Sequence, residues 1–274
     1  MTTTWSAVQG SVRHEARMAA RGRVLWLSLL PLTALAVLLA LSSPMVTGMA
    51  DPVGRIGMTL VVVNTFAVAG LGVALAGRLS QHTRPGLTEV LDTTPAGRTT
   101  RMAGNLAGAL AVALAPVAAV VVLIGIVVSA QAGSAGPLVS SLLGIVTMLV
   151  PAALAITTLA GLLGLLMPVV LARVVVVALW LWATQLSPGF VPVPTPTGTV
   201  LSPLCGYPAV AWLGARHVWA ARGRTGFLSP PADAGSALLN VALVLLCAVV
   251  FFCAARLVLA WRADRHDGQD GAIR

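Results

Sequence analysis

The chain contains no lysine: all 17 basic residues are arginine. That absence excludes a phosphate-binding loop of the G-x-x-x-x-G-K-[ST] kind, whose lysine grips the phosphates. It excludes Schiff-base chemistry for the same reason. Charge of either sign is scarce, at 9% of residues against about 25% in soluble domains. A chain of 274 residues with so little polar surface cannot coat a water-facing globule. Cysteine is nearly missing, and Cys205, Cys247 and Cys253 form no C-x-x-C pair, which argues against a disulfide framework or thiolate metal site. The histidines His14, His82, His217 and His266 are scattered without ligand spacing.

What is abundant is apolar sequence, 58% of the chain, arranged in long runs rather than in alternation. Six stretches are long enough to cross about 30 Å of hydrocarbon as helix: Val24 to Ser43, Ile56 to Gly77, Ala103 to Ala130, Leu138 to Leu163, Val169 to Thr184 and Ala237 to Trp261. A tight turn near Gly161, Gly164, Pro168 and Arg173 divides the fourth from the fifth. Pro31, Pro116 and Pro151 fall inside spans, where neighbouring helices can satisfy the freed carbonyls. The expected fold is a single all-α integral membrane domain of about six transmembrane helices, residues 1–274. No carboxylate or histidine lies within these runs. The proton or ion relays of secondary carriers therefore have no residues to work with, nor do the paired Asp or Ser/His centres of intramembrane enzymes.

Arginine sets the orientation. Arg13, Arg17, Arg21 and Arg23 precede the first span, Arg78, Arg84, Arg98 and Arg101 lie between the second and third, and Arg173 lies at the tight turn. Arg256, Arg262, Arg265 and Arg274 gather at the C-terminal end, whereas the opposite side holds only Arg55, Arg216, Arg222 and Arg224. Both termini are therefore expected in the cytoplasm. The basic balance reads as membrane-flanking arginine and not as a nucleic-acid surface. Trp26 and Trp261 fall at inner ends of spans, and Trp180 and Trp182 at an outer one, the headgroup levels that indole rings prefer.

Two segments on the arginine-rich side stand out. Within residues 1–23, Trp5, Val8, Val12, Ala16 and Ala19 share a narrow helical face, with Arg13, Arg17 and Arg21 along its flank. This predicts an interfacial helix with its apolar side toward lipid; a basic tail that only fixes topology is the plainer reading. In the loop 78–102, Leu87, Val90 and Leu91 share a face beside Glu89 and Asp92, and Pro95 ends that short helix. An apolar patch rimmed with carboxylates suits docking into a partner's groove, or else the loop folds back on the membrane.

The run Glu89-Val90-Leu91-Asp92-Thr93-Thr94-Pro95-Ala96-Gly97-Arg98 resembles the coupling-helix loop of ABC-2-type permeases, the membrane-spanning subunits of ABC exporters with the type V exporter-like domain. The run from Pro151 to Pro168 is similar to that family's fourth span and inner turn, and the N-terminal amphipathic segment to its elbow helix. The resemblance implies a permease that moves a small-molecule, peptide or lipid-like substrate across the cytoplasmic membrane. It implies a second permease subunit, identical or different, and two copies of a separate ABC ATPase subunit that carry the ATP and Mg. This chain itself would bind no cofactor and catalyse no reaction. Leu87, Val90 and Leu91 would dock apolarly on the ATPase, with Glu89, Asp92 and Arg98 pairing with its charges. Trp5, Val8, Val12, Arg13 and Arg17 would form the elbow.

Residues 187–236 make a long outer loop holding eight of the 17 prolines. Its Val191–Pro196 run is expected to be extended, and Tyr207 to Arg222 to form a short interfacial helix, acting as gate or as surface cap. Inside the spans the main polar side chains are Asn64, Thr65, Thr147, Thr157 and Thr158. The first four are candidates for a weakly polar substrate path, although membrane threonines commonly bond only their own backbone. Gly104 and Gly108 have the spacing for close helix contact. A membrane scaffold or sensor without transport activity is the competing reading.

Overall fold

The computed structural model describes residues 2–81, 97–186, 194–221 and 227–271. Among them it is all helical, with no strand. The helices are α1 (Thr2–Arg21), α2 (Arg23–Ser42), α3 (Pro44–Thr47), α4 (Pro52–Leu75), α5 (Arg78–Gln81) and α6 (Arg98–Ala132), followed by α7 (Gly136–Gly144), α8 (Val150–Leu166), α9 (Val169–Thr184), α10 (Gly206–Ala211) and α11 (Ala234–Gly271). A π-helical turn, Ile145–Leu149, joins α7 to α8, so Gly136–Leu166 acts as one long rod. Five helices are long and apolar enough to cross a membrane: Leu25–Ser42, Pro52–Ser80, Thr99–Ala132, Gly136–Leu166 and Ala234–Arg262. The sixth expected span, α9, has 16 residues and a length of ~24 Å, short of the ~30 Å of a hydrocarbon core.

The bundle is organised around α4. Asp51 caps its start, accepting from the backbone N–H of Val53 at 3.3 Å and Gly54 at 2.9 Å, with Pro52 in the first turn. Of its most apolar window 83% is buried, against 28% for α2 and α6 and 22% for α11. Small residues permit this centrality. Gly70 faces Leu32 of α2, Gly72 lies between Val176 of α9 and Ile156 of α8, and Gly77 faces Val169. At Gly164 the backbone of α8 lies against the Ala76 carbonyl so closely that any side chain there would collide with it. α11 packs along α8, and α6 packs on α4 and α7.

The outer surface of the bundle is apolar on every side. Leu27 and Leu38 of α2, Leu123 of α6, Val146 of the π turn, Val170 of α9 and Leu257 of α11 are each at least 60% exposed. In water such a girdle would be a large liability, whereas a bilayer solvates it. The protein is a helical membrane protein by this criterion.

The π turn has an identifiable cause. Pro151 lacks the N–H that would close a turn on residue 147, and its ring crowds that carbonyl. The chain loosens instead, and Val150 N–H bonds to the Ile145 carbonyl five residues back.

The two ends of the bundle differ. One, the elbow face, carries α1, α5 and the α8–α9 turn; the other, the cap face, carries α3, the α6–α7 turn and residues 194–221. The tight turn is Met167–Pro168, and Arg173 sits in the second turn of α9 rather than at the turn itself. Trp180 also departs from the headgroup-level expectation. It is 3% exposed and donates from Nε1 to the Thr65 carbonyl at 2.8 Å, so its ring fills the α4–α9 contact.

Candidate functional site

On the elbow face, α1 lies across the first turns of α6. Gly104 meets Ser11, and a methyl at Gly108 would stand 2.5 Å from the Val12 carbonyl oxygen and 2.9 Å from Glu15 Cβ. The Gly104 and Gly108 pair thus receives α1 from the same chain. Glu15 and Ala19 are buried, Val8, Val12 and Ala16 are half-buried, and Arg13, Arg17 and Arg21 are exposed. The side of α1 turned to α6 is thus the one beside the apolar stripe, where two glycines on α6 create a groove into which Ser11 and Glu15 fit. The α1–α2 elbow is closed by Trp26 Nε1 donating to the Ala20 carbonyl at 2.8 Å.

Leu87, Glu89, Val90, Leu91 and Asp92 lie outside the described residues, and Arg98 is the first residue of α6. The two ends of that segment are held together. Leu79 of α5 packs in one buried cluster with Met102 and Leu106 of α6, Leu165 of α8 and Ala255 of α11. Arg262 of α11 donates through Nη2 to the Leu165 carbonyl in the last turn of α8, where helix carbonyls lack intrahelical partners.

The four candidate path residues lie in α4, the π turn and α8. Asn64 is fully buried in α4 and donates from Nδ2 to the Leu204 carbonyl at 3.1 Å. Thr65 bonds the Val61 carbonyl at 2.9 Å and accepts from Gln185 Nε2 at 3.2 Å. Thr147 lies in the π turn and bonds the Leu143 carbonyl at 2.8 Å. Thr157 is buried in α8 with its hydroxyl unpartnered. The nearby Thr158 bonds the Leu154 carbonyl at 2.8 Å.

Asn64 belongs to a second constellation, on the cap face, that sequence reasoning missed. Residues 200–204 dip between α4 and α11. Asn240 of α11, fully buried, donates from Nδ2 to the carbonyls of Val200 at 2.6 Å and Ser202 at 3.1 Å. Ser202 bonds the Ala183 carbonyl at 3.2 Å and Thr197 the Trp182 carbonyl at 3.3 Å, which tie the segment to α9. Asn64 lies 12 residues into α4, or ~18 Å along its axis, so Leu204 reaches deep into the bundle. Beyond it, buried Cys205 takes the left-handed backbone conformation, φ 56°, which costs a non-glycine residue about 1–2 kcal/mol. α10 follows, and Leu213 and Ala215 pack on Gly57 of α4.

The expected helix from Tyr207 to Arg222 is therefore broken. It ends at Ala211, Gly214 adopts φ 64°, and a short 3-10 turn, Trp219–Ala221, follows. Tyr207 is buried with its hydroxyl donating to the Gly198 carbonyl at 3.3 Å, so α10 packs inside the cap. Residues 191–193 of the Val191–Pro196 run fall outside the described residues. The signal that could have found this constellation was Asn240, an amide inside an apolar run, where a buried polar group is costly unless bonded.

Among the described residues no group of three or more His, Cys, Asp or Glu could hold a metal ion. No family model, curated protein or solved structure matches the chain.

Proposed function

We propose that this chain is the membrane-spanning permease subunit of an ATP-driven exporter, receiving motion from a separate ATPase. One observation carries the reading. The segment 82–96 leaves from α5 and returns into α6, and both of its roots are packed into the cluster of Leu79, Met102, Leu106, Leu165 and Ala255. A push on that segment is thereby delivered to α6, α8 and α11 together, and through Gly104 and Gly108 to α1. Leu87, Val90 and Leu91, with Glu89 and Asp92 beside them in the sequence, would receive it.

In this reading the elbow face is cytoplasmic, as the arginine distribution favours, with both termini on that side. α9 completes six crossings, and the permease works as a dimer in the cell membrane. The cap, wedged ~18 Å along α4, would close the outer end of the path. The apolar bundle interior suits an amphiphilic or lipid-like cargo. The test is affinity purification of the solubilised protein from its own cells. Recovery of a nucleotide-hydrolysing subunit with Walker motifs supports the proposal, and a scaffold or sensor would come through without one.

A further inference from the structure

We infer that the α1–α2 elbow is a binding site for the phosphate of an anionic phospholipid, formed by Arg21, Arg23 and Arg78. The inference rests on the elbow face lying at a headgroup layer and not on the ATPase partner. Arg21 and Arg23 flank Gly22 and are exposed. Arg78, at the start of α5 and distant in sequence, is half-buried, and its Nη2 stands 3.3 Å from where a Gly22 side chain would begin. Arg78 of α5 thus reaches the one-residue turn between Arg21 of α1 and Arg23 of α2.

Glu15 is the sole carboxylate among residues 2–50, and it is buried against α6. Cations around one turn repel one another and draw a counter-anion. The lipid-facing surface begins within two turns of the corner, since Leu27 is 74% and Leu30 50% exposed. The guanidinium groups therefore stand where hydrocarbon gives way to headgroups. Phosphate oxygens match the guanidinium fork in geometry and charge, and the acyl chains would lie along Leu27 and Leu30. A free phosphate could satisfy the arginines but not that apolar wall. The Trp26 bond to the Ala20 carbonyl holds the elbow in shape before any lipid arrives.

Native mass spectrometry of the full-length protein in detergent tests this, with phosphatidylglycerol and phosphatidylcholine offered in turn. Preferential retention of phosphatidylglycerol is expected, weakened about fivefold for each arginine removed. Arg78→Gln should weaken it by that factor and Arg78→Lys keep most of it. Should Arg78→Gln fail to insert, the exposed pair Arg21→Gln and Arg23→Gln carries the test. Added inorganic phosphate should leave the lipid adduct intact. Equal retention of the two lipids, unchanged retention in the Gln variants, or displacement of phosphatidylglycerol by inorganic phosphate would each overturn the inference.

Discussion

Asn64 and Leu204 are 140 residues apart in sequence and joined by a hydrogen bond of 3.1 Å in the middle of the bundle, the amide of α4 donating to the carbonyl of the cap. Replacing Asn64 by Leu leaves that carbonyl buried without a donor, a cost of about 1–3 kcal/mol. The expected result is faster amide hydrogen exchange across residues 200–211, with exchange in α2 unchanged. Asn240→Leu should act likewise and more strongly, because one side chain there serves two carbonyls.

Gly164→Ala should be among the most damaging small substitutions, because its methyl would strike the Ala76 backbone and not a side chain that can turn aside. Overpacking of this kind costs typically 1–3 kcal/mol or more, read as a fall in thermal unfolding temperature in detergent. Gly10→Ala is the matched control. Nothing surrounds Gly10, and alanine should stabilise α1 by up to ~1 kcal/mol.

Gly108→Val should lift α1 from α6, given the 2.5 Å separation from the Val12 carbonyl that any side chain would face. Increased protease sensitivity within residues 2–21, with the spans still inserted, is the expected readout. Unchanged sensitivity would mean that the groove tolerates a side chain.

Asp233 caps α11, accepting from the Ser236 N–H at 2.7 Å while its own N–H donates to Ser236 Oγ at 2.9 Å. The backbone hydrogen bond from Ser236 holds its carboxyl below the usual carboxylate range. A depressed folded value means that the cap's contribution is present above the ordinary carboxylate pKa of about 4 and fades as pH falls through the lower folded value. Exchange protection at residues 236–239 should be flat through neutral pH and decline only in acid. Asp233→Asn should keep the cap and lose the acid dependence.

Leu91→Arg tests the proposed ATPase contact. The variant should insert normally, since the substitution lies outside every span, yet lose co-purification of the ATPase. Full recovery would remove the docking assignment from residues 87–92.

The long helices were legible because a bilayer-spanning run of apolar residues has few other destinies. α9 was placed at its observed limits, Val169–Thr184, by Pro168 before it and polar Gln185 after it. What could not be read was which face each helix turns inward. Trp180 looks like an interfacial anchor in sequence, and only the nearby Thr65 carbonyl makes it a core residue. Likewise Val8, Val12, Ala16 and Ala19 mark the apolar side of α1, while Gly104 and Gly108 on another helix decide how it turns. The cap was hidden for the same reason: Pro-rich sequence reads as surface, and its depth is set by two amides on distant helices.

The contact between Gly164 and Ala76 also limits how the molecule can change shape. With main chain touching main chain at that end, α4 and α8 have no side-chain cushion there to slide or roll on. They form a keel, and a rearrangement that opens the bundle is left to the more peripheral α2, α6 and α11 around it.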